Sequence, residues 1–162
     1  MRFPFAAETA AGKKTTNMKV PGLRSSYEKV GGIVFFGRML DKIRLRAAGR
    51  LPSEYFTGTA NRTHFDSRCT RFLRIDYKAV ADRVLQGGSD EEILEWCFRN
   101  GYRPSDDEIE IWNEFMTKRG WHDGGSVEFQ QARRDRGFAE REDIQTWFDL
   151  QCAEERDDTA GS

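Results

Sequence analysis

Two serines sixteen residues apart each open the same pattern. Ser89-Asp90-Glu91-Glu92 and Ser105-Asp106-Asp107-Glu108 both place serine at a helix N-cap and glutamate three residues on. Such a capping box satisfies two of the amide groups that a helix start leaves without partners. The same letters follow each box, Ile93-x-x-Trp96 and then Ile109-x-x-Trp112. The acidic first turns suit the positive end of the helix dipole. Gly101 and Gly120 supply C-terminal stops. The spacing predicts a helix pair over 90–100 and 106–119, joined by Gly101–Ser105 with Pro104 ahead of the second cap.

Further helices follow from apolar periodicity. Ile33, Phe36, Leu40, Ile43 and Ala47 recur at spacings of three and four, one stripe of a helix over about 29–48 with Ser26 as N-cap. Val34, Phe35, Met39 and Leu45 lie off that stripe, so this helix is expected in the middle of the domain. Gly31, Gly32 and Gly37 lower its propensity, a cost that close approach by a neighbour would offset. Short helices are predicted from about Asp66 to Leu73 and from Asp76 to Gly87. Ser126 can cap another that ends near Gly137. A last one is expected from about Arg141 to Ala153, carrying the third Ile-x-x-Trp at Ile144–Trp147. Those i,i+3 pairs read as core packing. No alternating β-branched run and no Asn-Gly or Asp-Gly hairpin turn is found. The fold class is all-α, a compact single-domain bundle of six to seven helices with a long loop, 49–63, after the first helix. Residues 25–153 form the helical domain. Residues 1–24 are read as a mobile tail and 154–162 as an acidic tail.

Composition excludes several classes. At 162 residues with 38% hydrophobic content and 20 aromatic side chains, the chain can build an ordinary core. Its apolar stretches are far shorter than a membrane span needs, so no membrane partner is expected. Phe3–Ala7, broken by Pro4, is too short for a secretory signal. Three cysteines without a Cys-x-x-Cys pair fit neither a disulfide framework nor a thiolate metal site, and point to a cytoplasmic setting.

Net charge is −1, yet the chain is electrically divided. Residues 1–83 hold 17 basic and 7 acidic groups; residues 84–162 hold 9 basic and 20 acidic. Arginines outnumber lysines 19 to 7, which favours planar pairing with carboxylates or phosphates. Either the halves face each other inside one fold, or a basic surface survives to attract an anion or an acidic partner. Arg38, Lys42 and Arg46, at i, i+4 and i+8, form a ridge roughly opposite the Ile33/Leu40/Ala47 stripe. With Tyr55 and Phe56 of the following loop they are the candidate anion- or partner-binding residues. A near-zero net charge argues against nucleic acid as sole partner.

Reactive centres are not evident. His64-x-Asp66-x-x-Cys69 contains ligand types but matches no strong zinc spacing. No nucleophile elbow, P-loop or dinucleotide fingerprint occurs, so neither a metal nor a cofactor is expected. Asp41 and Asp149 are acids set within apolar helical stretches; each must find an arginine or a helix end, because an unpaired buried charge is costly. They are the candidate catalytic pair of an alternative reading, a small enzyme with a polar pocket. The leading expectation is a non-catalytic helical binding domain.

Gly31-Gly32, Arg38-Met39-Leu40-Asp41-Lys42-Ile43-Arg44, Ser89–Trp96 and Thr146-Trp147-Phe148-Asp149-Leu150 occur in an order that resembles a bacterial family of about this length, domain-of-unknown-function family 5069. The resemblance spans roughly residues 21–151. It implies a small, soluble helical protein with no assigned activity, and it supplies no catalytic residues to carry over.

Overall fold

The computed structural model describes residues 19–156. Among them are seven helices and one hairpin of two-residue strands. The hairpin comes first: β1 (Lys29–Val30) pairs antiparallel with β2 (Ile33–Val34), with Val30 opposite Ile33. Gly31 and Gly32 make its turn at φ +56° and +81°. A two-residue turn with both φ positive matches the strand twist and favours glycine. These glycines therefore close a hairpin and do not weaken a helix, and the first helix starts seven residues later than its apolar stripe suggested.

That helix, α1, spans Phe36–Ala47. Its N-cap is Phe35, held at φ +71°, a conformation uncommon outside glycine. The Phe35 ring is fully buried between Phe65 and Phe148, with ring centroids at 5.5 and 6.2 Å. Aromatic packing thus holds the residue where its backbone alone would not rest. Ser26, expected as the cap, is buried elsewhere: its hydroxyl bonds the Gln151 side chain and its carbonyl accepts from the Phe35 N–H. Every residue from Phe36 to Ile43 is buried, charged ones included. Gly37 is needed for this packing. A Cβ there would lie 2.6 Å from the Arg24 guanidinium and 3.0 Å from Val30.

The remaining helices are α2 (Phe65–Phe72), α3 (Tyr77–Leu85), α4 (Asp90–Asn100), α5 (Asp106–Lys118), α6 (Ser126–Asp135) and α7 (Trp147–Glu155). Both capping boxes form in full. The Glu92 N–H donates to Ser89 Oγ at 3.1 Å, and the Glu108 N–H to Ser105 Oγ at 3.2 Å. Asp76 caps α3 by accepting from the Ala79 N–H. Two starts differ from expectation. Ser126 is the first residue of α6 and accepts from the Asp123 N–H, so Gly125 holds the cap position. α7 begins at Trp147 with Thr146 as cap, which leaves Ile144 in the preceding loop. The Ile144–Trp147 spacing therefore reflects two core contacts and not one helical face. Both residues belong to a small second core with Phe129, Leu150 and Ala153.

The main core joins the hairpin to α1–α5 and to Phe148 of α7. Packing extends past the boundaries that composition suggested. Val20 is buried with Leu45 and Leu51, and Glu154 and Glu155 lie on α7 in ion pairs. The other residues of the two expected tails, 1–18 and 157–162, lie outside the described residues.

Candidate functional site

Helix α1 carries the charges that the sequence singled out, and its position decides what they touch. Arg38 is only 3% exposed. It grips the Glu155 carboxylate with both terminal nitrogens, at 2.8 and 2.5 Å, and donates to the Arg24 carbonyl at 3.1 Å. Burial works against its charge, but the hydrogen bonds it donates to Glu155 prevail and hold its pKa above the ordinary value. Tyr55 donates to the same carboxylate at 3.1 Å. Lys42 is buried as well. Its ammonium lies 2.6 Å from Asp66 Oδ1, donates to the Phe56 carbonyl at 2.8 Å and sits 5.2 Å from the Phe35 ring centroid. Burial lowers the Lys42 pKa in spite of Asp66. Arg46 is exposed, but it donates to the Tyr55 carbonyl at 2.8 Å.

The expected ridge is thus turned inward over most of its length. Its cations bond the carbonyls of the loop after α1 and a carboxylate of α7. The loop needs this because it lacks regular structure to satisfy its own carbonyls. The Phe56 side chain is 55% exposed and stacks near His64, with ring centroids 4.3 Å apart. His64 has a lowered pKa, from burial first and then from the Lys42 charge.

The two acids find the kinds of partner that burial requires. Asp41 accepts three bonds from Arg24: the backbone N–H at 3.1 Å, Nε at 2.7 Å and Nη2 at 2.9 Å. Arg24 also pairs with Asp90 at 2.6 Å, and Arg44 reaches Asp90 at 2.7 Å. Asp149 sits in the first turn of α7, where it accepts from the Tyr27 hydroxyl at 2.6 Å and the Gln145 N–H at 3.0 Å. Burial, then Asp149, pushes the Tyr27 pKa up to about 12. Among the described residues, Asp41 and Asp149 share no hydrogen-bond partner.

A different basic surface emerges on α2. Its residues Asp66, Cys69, Thr70 and, just past its end, Leu73 face the interior. That stripe leaves Arg68, Arg71 and Arg74 on the outer side at intervals of three, with Arg62 just before the helix. Arg119, at the end of α5, joins them. Arg68 has a lowered pKa, from burial and then from the neighbouring Arg119, Arg71 and Arg62 charges. Among the described residues, Arg62, Arg68, Arg71 and Arg74 form no ion pair within 4 Å; Arg119 has Asp123 at 3.5 Å.

A groove of about 360 Å³ runs between the end of this helix and α5. Phe72 and Trp112 stack in it, with centroids 4.5 Å apart and planes at 5°. Trp112 is fixed from below, since Nε1 donates to the Val34 carbonyl at 3.2 Å. Arg74 lies over the Tyr102 ring at 3.9 Å, and Tyr102 donates to the Glu108 carboxylate at 2.9 Å. Arg68 and Arg119 lie 5.3 and 5.6 Å from the Phe115 ring centroid. Ile111 and Phe115 are exposed. None of these residues was singled out from the sequence as a contact residue; Glu108 and Trp112 entered only as a helix cap and as core packing. Their signal was the three-residue spacing of Arg68, Arg71 and Arg74 across a short helix whose inner stripe is small and polar.

A family model described as Domain of unknown function (DUF5069) matches residues 20–157. The chain belongs to this family. The match covers both the buried charge layer of α1 and the arginine face of α2, as well as the two capping boxes. A comparison with curated proteins gave no match.

Proposed function

We propose that this member of family 5069 is a non-catalytic binding domain, and that the arginine face of α2 takes an anionic or protein partner. One observation carries the reading. Arg62, Arg68 and Arg71 crowd one another without a carboxylate at ion-pair distance, while Arg38, Lys42 and Arg44 of α1 are each paired with a carboxylate inside the fold. A folded domain that leaves several guanidinium groups together forgoes stabilising pairs and gains an attractive field for anions. The separate hydrogen-bond partners of Asp41 and Asp149 speak against an enzymatic pocket built from those two acids. Three free cysteines, two of them buried, fit a reducing cytoplasmic setting. No described helix is long and apolar enough to cross a membrane.

The test is binding of poly-glutamate to the whole chain at low and high salt, with Arg68→Glu and Arg71→Glu as variants. Salt-sensitive binding that both reversals weaken at least tenfold supports the reading. Binding unaffected by either reversal removes α2 as the contact face.

A further inference from the structure

The α2 reading names a charge, and the adjoining groove narrows the chemistry of its bearer. Resting on that reading, we infer that the groove between α2 and α5 takes an acidic peptide segment of a protein partner, with an aliphatic side chain seated among its carboxylates.

Two kinds of surface meet in this groove. Ile111 is 68% exposed and Phe115 39% exposed, large apolar groups on a helix that is otherwise strongly acidic at its start. Arg71 and Arg74 stand on the opposite wall. Apolar contact beside guanidinium groups suits a ligand that carries both features within a few residues. Planar guanidinium groups also match carboxylates two bonds at a time.

Nucleic acid would carry negative charge too, but the rings are badly placed for it. A single strand gains its affinity by stacking bases on open aromatic faces. Trp112 is buried and already stacked by Phe72. The face of Tyr102 is covered by Arg74, and Arg68 and Arg119 crowd Phe115. Glu108 adds a second obstacle. Its carboxylate lines the groove and is held ionised by the Ser105 backbone N–H and the Tyr102 hydroxyl. It would repel a phosphate or a carboxylate set beside it, so a peptide must turn a backbone N–H and not an acidic side chain toward that wall, a donor that a sugar–phosphate backbone lacks.

Three fluorescein-labelled probes decide the matter by anisotropy: the peptide Glu-Glu-Leu-Glu-Glu-Leu-Glu-Glu, its counterpart with serine in place of leucine, and an oligodeoxythymidylate of equal charge. The leucine peptide is expected to bind the whole chain about tenfold more tightly than the serine peptide, the scale of a partly buried leucine. Arg71→Ala should weaken both peptides. Ile111→Ser, at an exposed position that does not threaten folding, should abolish the leucine preference and leave the serine peptide unchanged. Equal affinity for the two peptides overturns the inference and leaves the arginine face standing as an anion site. Tighter binding of the oligonucleotide assigns the face to nucleic acid and overturns the peptide. A concentration-dependent dimer that Arg71→Ala abolishes gives the groove to a second copy of the chain, with the same consequence. Binding of none of the probes removes both this inference and the function on which it rests.

Discussion

The basic groups of α1 and those of α2 have similar chemistry and opposite fates. On α1, Arg38 and Lys42 are buried and bonded to Glu155, Asp66 and loop carbonyls. On α2 and just before it, Arg71 and Arg62 are exposed and Arg68 is half-buried, with Arg119, Arg71 and Arg62 as the largest charged neighbours of Arg68 ahead of Asp123. The difference lies in what surrounds each helix. α1 touches the hairpin, α3 and the loop that follows it, so every residue from Phe36 to Ile43 meets protein. α2 presents one stripe to the core and leaves its other side in water. A cation inside the fold must be paired, whereas one outside it can wait for a partner.

The sharpest break in this contrast is Lys42→Ala. It leaves the Asp66 carboxylate buried without its cation, and a loss of about 3–5 kcal/mol in denaturant unfolding is expected. Gly37→Ala should come next. The added methyl group would push Arg24 away from Asp41, at a cost of about 1–3 kcal/mol as for other overpacked sites, and a double-mutant cycle with Asp41→Asn should reveal coupling. A pH effect follows from His64. Its folded pKa lies below the unfolded value, so the unfolded chain takes up the proton first as pH falls through the mid-sixes. Stability from this group is therefore present at higher pH and lost on acidification. Melting curves between pH 7.5 and 5.5 should show a shallower decline in His64→Gln than in the parent. Smallest of all should be Arg71→Ala, which stays within about 1 kcal/mol of the parent because it removes an exposed charge with no carboxylate at ion-pair distance and only two hydrogen bonds, to Ser67 Oγ and the Arg62 carbonyl. A loss comparable to that of Lys42→Ala would mean that α2 arginines are structural, and the contrast would collapse.

Much of the architecture was legible in particular residues. Ser89 and Ser105, each with a glutamate three positions on, marked the starts of α4 and α5. Asp76 marked the start of α3. The hairpin was not legible, because two-residue strands carry no periodicity and Ile33 continues the apolar stripe of α1. The start of α7 was misplaced for a related reason. Ile144 and Trp147 share a core, and their spacing of three imitates a helical face although Thr146 begins the helix. For the site, the i, i+4, i+8 ridge on α1 was geometrically sound, but the direction it faces is not a property of its own segment.

Local features were settled by the chain's own letters where a side chain caps its own helix: Ser89, Ser105 and Asp76 act within three residues, where hydrogen-bond geometry leaves little choice. Tertiary structure alone decided which charges are quenched. Arg38 finds Glu155 at a separation of 117 residues, and Arg44 finds Asp90 at 46. Whether a guanidinium group meets a carboxylate or water depends on which helices become neighbours, and burial of the apolar core sets that.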